Sequence, residues 1–311
     1  VIRSYIEDFV SENEISKSKA KDQHTVFEQF VNDLVLSIYA NDPSVTYQDM
    51  ETGTAFAIDG IAIFVADRVV TSIQDVDTVI EELKKFEVNF IFTQAKTSDC
   101  FDRTEIADYL TGIRRFFDFS KCEIPEVISL WEVAKYIYSK SSRFKKAPTL
   151  NMKFVSLSPK EIDLKDIHMS STVEMGVRDL NEMSLFSEVK RPEFLGIKEI
   201  MMLREKVTSG LEISVTLSKQ PVPYPKDTHN KIKNGYYGLI KLEEFTKLLT
   251  DVINGEKVLR KGIFNDNIRY YLGSSEKLEV NSSMKNQLVG NENYLFGLLN
   301  NGITIIADSV Q

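Results

Sequence analysis

The sequence has 311 residues, of which 42% are hydrophobic and 27% are charged, and its formal net charge is −8. This composition is typical of a globular protein with a substantial core, and the negative charge argues against a general nucleic-acid coat, because phosphate binding draws on lysine and arginine. No run approaches the roughly 20 apolar residues of a membrane span, so we expect a cytoplasmic protein without a membrane partner. The two cysteines and three histidines are too scattered for a structural zinc site.

Helical and extended patterns alternate through the N-terminal half of the chain. Apolar side chains recur either with helical spacing or along short runs rich in Ile, Val and Phe. We predict helices over residues 4–13, 23–41, 75–86 and 102–119, and strands over residues 54–70 and 89–96. This order predicts a mixed sheet with helices on both faces, which is a compact α/β fold.

A basic connector follows a further predicted helix that begins near Val127. Its cationic side chains are Lys140, Arg143, Lys145 and Lys146. A run of this kind either contacts phosphate or is a solvated connection between elements. The sequence leaves both interpretations open.

The pattern changes near residue 150, where we place a boundary between a domain of residues 1–150 and a domain of residues 151–311. In the second domain we predict strands over residues 152–158 and 211–218 with a polar, irregular stretch between them, and a strand running into a helix over 236–251. This mixture favours an α+β domain. The chain stops just after an apolar run, and we expect the parent protein to continue beyond Gln311.

Three polar side chains interrupt the apolar strands of the first domain. Asp59 is the single carboxylate in a run of apolar residues, and a buried aspartate needs a cation or several hydrogen-bond donors. Gln94 and Lys96 share one face of the strand over 89–96 and lie at its end, where sites on α/β sheets are found. If the two strands are neighbours, the three side chains converge on one point.

This combination of side chains suits the hydrolysis of a phosphodiester. Carboxylate and amide oxygens are ligands for Mg²⁺ or Mn²⁺, so Asp59 and Gln94 are the candidate metal ligands. Lys96 is the candidate for holding the attacking water and offsetting charge in the transition state. A further carboxylate could come from Glu28, on the helix over 23–41, or from Glu51.

These residues resemble a nuclease pattern. The sequence "IDG" followed by "QAK" on a Phe/Ile-rich strand is similar to the Mrr-like branch of the PD-(D/E)XK nuclease superfamily, over roughly residues 20–120. The resemblance implies a restriction-endonuclease-like domain in which Asp59, Gln94 and Glu28 are the metal ligands and Lys96 is the catalytic lysine. It implies a DNA substrate, with RNA as the less favoured one, and a homodimer would suit the cleavage of both strands.

The remainder of the chain resembles another family. The segments "IFNDNIRYYLG", "VNSSMKNQL" and "YLFGLLNNGITIIAD" occur in that order and are similar to AIPR proteins, the abortive-infection phage-resistance family. That resemblance also includes "DGIAIFV" and "FIFTQAKTSDCF". It implies a role in defence against phage, with the second domain restraining the nuclease until infection.

Each candidate residue also has a structural interpretation. Asp59 and Gly60 form a pair that is common in hairpin turns, Lys96 could extend from a strand end to water, and Glu28 could be a solvated helix residue. The helix predicted between the two strands leaves their adjacency open, and Gln94 supplies no negative charge to a metal. A catalytically inactive module that binds nucleic acid or a partner is therefore the alternative function.

Overall fold

The computed structural model describes residues 2–15, 22–40, 45–53, 55–81, 83–122, 124–208, 214–220, 222–223, 236–253 and 256–259. All of them belong to one compact unit that spans residues 1–265. The site residues predicted from the sequence fall within this part. The AIPR-like segments over 263–308 lie outside the described residues.

Helices and strands alternate in chain order, as an α/β fold requires. The helices are α1 (Ile2–Glu12), α2 (Gln23–Tyr39), α3 (Ile73–Ile80), α4 (Arg103–Phe116), α5 (Ile128–Ser139), α6 (Ile167–Glu182), α7 (Ile197–Thr208) and α8 (Leu242–Leu249). The strands are β1 (Gly60–Val65), β2 (Arg68–Val69), β3 (Val88–Lys96), β4 (Thr149–Ser156), β5 (Glu193–Leu195), β6 (Val222–Pro223), β7 (Tyr236–Tyr237), β8 (Thr250–Ile253) and β9 (Glu256–Leu259).

A five-stranded mixed sheet forms the centre of the unit, in the order β2-β1-β3-β4-β5. The strand β1 is antiparallel to both β2 and β3, whereas β3, β4 and β5 are mutually parallel. Thr93 pairs with Gly60 on one side and with Lys153 on the other. The mixed α/β architecture predicted from the sequence is confirmed.

Helices cover both faces of this sheet because the central strand β3 is apolar on both. Phe90 and Phe92 contribute to a core formed with α4, α5 and α6. Ile91 and Ala95, which alternate with them, contribute to a second core formed with α1, α2 and α7. Side chains alternate along a strand, so the two cores lie on opposite faces and β3 is buried between α4 and α2.

The region beyond residue 150 departs from the predicted pattern in two ways. The predicted boundary falls inside the five-stranded sheet, since β4 begins at Thr149 and pairs with β3. The stretch after β4 was predicted to be irregular, but it contains α6 and α7. The apolar face of α6 is narrow, with only Val173 and Leu180 fully buried, and this weak periodicity explains the wrong prediction. Among the described residues, none of the helices has the length and apolar character to cross a membrane.

Candidate active site

Asp59 lies at the start of the strand pair and not within a strand. A short 3₁₀ turn over Ala55–Ala57 precedes it, and β1 begins at the next residue, Gly60. The Asp59 backbone N–H donates to the carbonyl oxygen of Thr93 at 2.9 Å, which anchors the residue to β3. The prediction that Asp59 is buried is confirmed, because only 9% of its surface is exposed.

The carboxylate of Asp59 is bonded to β3 by two hydrogen bonds. The Nε2 atom of Gln94 and the backbone N–H of Ala95 both donate to its Oδ2 atom, each at 2.7 Å. These contacts bring Asp59 and Gln94 together as expected, although α3 lies between their strands in the sequence. Both hydrogen bonds that the described residues give to the carboxylate end on Oδ2.

The amide oxygen of Gln94 lacks a hydrogen-bond partner. Gln94 is only 1% exposed, and its Nε2 atom is committed to Asp59. In the part of the chain that the structure describes, Oε1 of Gln94 and Oε2 of Glu105 are the two buried side-chain polar atoms without a partner. Buried polar atoms are normally paired, so this oxygen beside the carboxylate of Asp59 is able to accept a hydrogen bond or to bind a cation.

Glu28 approaches the same point from α2. Burial raises the pKa of Glu28 to about 7, and the negative charge of Asp59 adds to the increase. Burial likewise raises the pKa of Asp59 to about 6, against the opposing effect of the Ala95 N–H group. Two carboxyl groups that burial makes costly to ionise form a site that favours positive charge.

Lys96 lies close enough to act on both acids. Its ammonium lowers the pKa of Glu28 and of Asp59, in opposition to the burial that raises them. The side chain is partly exposed at the end of β3. Within the described residues, no carboxylate oxygen lies within salt-bridge distance of it. Among the residues that the structure describes, the ammonium therefore has no ion-pair partner.

Glu51 is placed differently from Glu28. Its side chain is exposed, and its Oε1 atom accepts a hydrogen bond from Gln29 Nε2 at 2.6 Å. Its charge makes a smaller contribution to the pKa of Glu28 than the charge of Asp59 does. Of the two alternatives left open by the sequence, Glu28 is the one that burial and electrostatics associate with Asp59.

Asn32 supports the site and was missed by the sequence analysis. Its Nδ2 atom donates to the carbonyl oxygen of Asp59 at 2.9 Å, and its Oδ1 atom accepts from Thr93 Oγ1 at 2.6 Å. The available signal is its position four residues after Glu28, which places both on one face of α2. A fully buried asparagine needs such partners.

Gly60 is explained by this packing and not by a turn. Gly53 is the one glycine with a positive φ among the described residues, so Gly60 does not need the left-handed conformation. A Cβ atom at Gly60 would instead collide with Asn32 Oδ1 and Thr93 Oγ1. The interpretation of the Asp59–Gly60 pair as a hairpin turn is therefore wrong.

The basic connector has structural contacts. The guanidinium of Arg143 donates to the carbonyl oxygen of Ile80 at 2.6 Å and to that of Leu83, at the end of α3. Lys145 and Lys146 both pair with Glu87, at 3.0 and 3.2 Å. These contacts favour the connector interpretation over phosphate binding.

The donor set is suitable for a divalent cation of the magnesium type. Asp59 and Gln94 offer carboxylate and amide oxygens, which are the ligands that hard cations prefer. Within the described residues, no group of three or more His, Cys, Asp or Glu side chains is close enough to hold a metal. A site here would therefore combine fewer than three of these side chains with the amide oxygen of Gln94.

Comparison with known proteins supports the second resemblance for one segment. No curated protein and no solved structure matches the chain. The nuclease resemblance over residues 20–120 therefore rests on the residues themselves. Residues 264–311 match the model of a protein family described as AIPR protein.

Proposed function

We propose that this protein is a divalent-metal-dependent nuclease that hydrolyses DNA phosphodiester bonds in defence against phage. The observation that carries the proposal is the pairing of Asp59 with Gln94, whose amide oxygen is buried without a partner. The mixed sheet with helices on both faces supports a restriction-endonuclease-like domain. The AIPR match at residues 264–311 supports the defence role.

Asp59 and Gln94 would hold the ion, and Glu28 would be a further carboxylate beside it. When bound, Mg²⁺ or Mn²⁺ supplies positive charge at the scissile phosphate and lowers the pKa of water. Asp59 is held in place by two hydrogen bonds. Asn32 donates to its backbone carbonyl oxygen, and the backbone N–H of Ala95 donates to its carboxylate. Rigid support of this kind keeps ligands in one geometry.

Lys96 and Glu28 would act on the water and the phosphate. The ammonium of Lys96 pairs with no carboxylate among the described residues. It can donate to a phosphate oxygen, where negative charge increases as water attacks phosphorus. Glu28, with a pKa of about 7, can accept the proton that the attacking water loses. The bond from phosphorus to the departing deoxyribose oxygen then breaks, and that oxygen takes a proton from solvent.

The test is cleavage of supercoiled plasmid and of single-stranded DNA by the purified protein with Mg²⁺ or Mn²⁺. Cleavage should disappear in EDTA and in the Lys96→Ala variant. Lys190→Ala is the matched control, because Lys190 is exposed and its neighbour Val189 bridges to Leu150, at the other end of the sheet. Cleavage that persists in Lys96→Ala would refute the site. Cutting of single-stranded RNA alone would change the substrate class.

A catalytically inactive module that binds nucleic acid or a partner is the second candidate. It is favoured by the two hydrogen bonds from β3 that satisfy Oδ2 of Asp59 without a metal. It predicts that a fully folded protein retains DNA in a binding assay with EDTA present and never cleaves it. Metal-dependent cleavage that is lost in Lys96→Ala would eliminate it.

A further inference from the structure

Glu105, in the first turn of α4, is a carboxylate that the proposed reaction does not yet use. Its Oε2 atom is buried and has no hydrogen-bond partner. Its charge contributes to the raised pKa of Asp59, after the larger effect of burial. The carboxyl groups of Glu105 and Asp59 are therefore within electrostatic reach of each other.

The packing of α4 on β3 explains this position. Tyr109 is fully buried, and its hydroxyl donates to the carbonyl oxygen of Phe92 at 2.9 Å. Glu105 precedes Tyr109 by one helical turn and shares its face of α4, about 6 Å nearer the start of the helix. Gln94 follows Phe92 by two residues, about 6.6 Å nearer the end of β3. The chain leaves β3 at Lys96 and enters α4 at Arg103. Glu105 and Gln94 are therefore both displaced toward the end of the sheet where β3 finishes.

Glu105 and Gln94 also lie on the same face of the sheet. Phe92 packs against Phe116 of α4, with ring centroids 5.4 Å apart, and side chains two residues apart on a strand share a face. Asn32 of α2 contacts Thr93, which points to the other face. Asp59 is therefore flanked by Glu105 from α4 and by Glu28 from α2.

The helix itself does not account for the buried oxygen. Asp102 caps α4 by accepting from the backbone N–H groups of Thr104 and Glu105. An acidic residue in the first turn interacts favourably with the helix dipole. That interaction gives Oε2 no hydrogen bond, and burying an unpaired carboxylate oxygen costs more than this gain.

We propose that Glu105 is a further ligand of the divalent cation, completing a set of oxygen donors with Asp59 and Gln94. The proposal rests on the proposed nuclease site and adds a ligand that the "IDG" and "QAK" pattern does not contain. The cation would be the partner of both buried oxygens that lack one among the described residues, Gln94 Oε1 and Glu105 Oε2. Glu28 then remains available to accept a proton.

The test is Mn²⁺ binding to the full chain without nucleic acid, measured by titration calorimetry and by the metal-induced increase in melting temperature. Glu105→Gln should weaken Mn²⁺ binding by at least about tenfold, since even supporting residues of metal sites contribute about 10- to 100-fold. Asp108→Asn is the matched control, because Asp108 is an exposed acid on the same helix. The Glu105→Gln variant is expected to fold normally, because the substitution removes a charge whose Oε2 atom is buried. Its melting temperature in EDTA should therefore be unchanged or higher.

The outcomes separate this inference from the proposed function. Mn²⁺ binding that is lost in Asp59→Asn but unchanged in Glu105→Gln would overturn the role of Glu105 and leave the nuclease site intact. A wild-type protein that binds no Mn²⁺ would overturn both. Equal weakening in Glu105→Gln and Asp108→Asn would show a general effect of charge, and would also overturn the proposed ligand.

Discussion

The side chain of Asn32 is hydrogen-bonded to the backbone of Asp59, with 2.9 Å between Nδ2 and the carbonyl oxygen. Because its Oδ1 atom also accepts from Thr93, one buried amide joins α2 to both β1 and β3. The position of Asp59 therefore depends on helix α2 as well as on the sheet.

Replacing Asn32 with alanine should destabilise the protein. The change leaves a buried carbonyl oxygen and the Thr93 hydroxyl without partners, and each such loss costs about 1–3 kcal/mol. The free energy of unfolding in urea measures the effect. The double variant Asn32→Ala with Thr93→Val should lose less than the sum of the two single variants, and strict additivity would show that the two side chains do not interact.

Replacing Gly60 with alanine should also destabilise the protein. A Cβ atom at this position meets Asn32 Oδ1 and Thr93 Oγ1, and overpacking of this kind costs about 1–3 kcal/mol. Thermal unfolding of Gly60→Ala measures the loss. The penalty should shrink in the Asn32→Ala background, where part of the obstruction is gone. An unchanged penalty would indicate a backbone requirement at Gly60.

Two substitutions of Asp59 should separate its chemical role from its structural one. Asp59→Asn keeps an oxygen for the donors from Gln94 and Ala95 and removes a buried charge, so stability in EDTA should be unchanged or higher while cleavage is lost. Asp59→Ala leaves both donors unpaired and should cost about 1–3 kcal/mol for each. Cleavage assays and urea unfolding are needed for both variants. An active Asp59→Asn protein would exclude a metal-binding carboxylate.

The stability of the metal-free protein should depend on pH through Glu28 and Asp59. Folding raises both pKa values, from 4.5 to about 7 and from 3.8 to about 6, so the folded state binds more protons than the unfolded state in this range. Their stabilising contribution is fully present below about pH 4 and is lost as the pH rises through about 6 and 7. Melting temperatures in EDTA measure this loss.

The same effect gives a control for the pH experiment. Glu28→Gln should flatten the decrease in stability between about pH 5 and pH 7, whereas Glu81→Gln, at an exposed position, should not. The comparison between variants removes the contribution of other carboxylates. Saturating Mg²⁺ should restore stability at the upper end of the range. A Glu28→Gln profile parallel to the wild type would contradict the raised pKa.

Arg143 should matter for stability and not for nucleic-acid binding. Its guanidinium satisfies two carbonyl oxygens at the end of α3, so Arg143→Ala should destabilise the protein by about 1.5–3 kcal/mol, the usual range for hydrogen bonds to charged groups. Lys146→Ala breaks an exposed pair with Glu87 and should cost less than about 1 kcal/mol. Urea unfolding and DNA-binding measurements test both variants, and reduced DNA affinity with unchanged stability in Arg143→Ala would reverse this assignment.

The sequence was sufficient for the parts of the fold that have strong periodicity. The helices α2 and α4 and the strand β3 have clear apolar patterns, and their existence was predicted correctly. The pairing of β1 with β3 could not be read from spacing, because α3 separates them in the chain. It depends on the register in which Gly60 meets Thr93.

The site was predictable only in its strand residues. Asp59, Gln94 and Lys96 stand out because each interrupts an apolar run. Asn32 and Glu105 do not, since a polar residue on an amphipathic helix is usually solvated. Only the packing of α2 and α4 shows that Asn32 and the Oε2 atom of Glu105 are buried. Arg143 was ambiguous for the same reason, because a cation in a connector gives no sign of which carbonyl oxygens it meets.

The hydrogen bond between Asp59 and Gln94 has a consequence for how the chain folds. These residues are 35 positions apart, and they meet only when β1 and β3 pair in one register. A slip of one residue would exchange the two faces of β3, so Gln94 would point toward α2 and away from Glu105. A sheet paired in the wrong register would therefore separate the amide of Gln94 from the carboxylate of Asp59 and from Glu105.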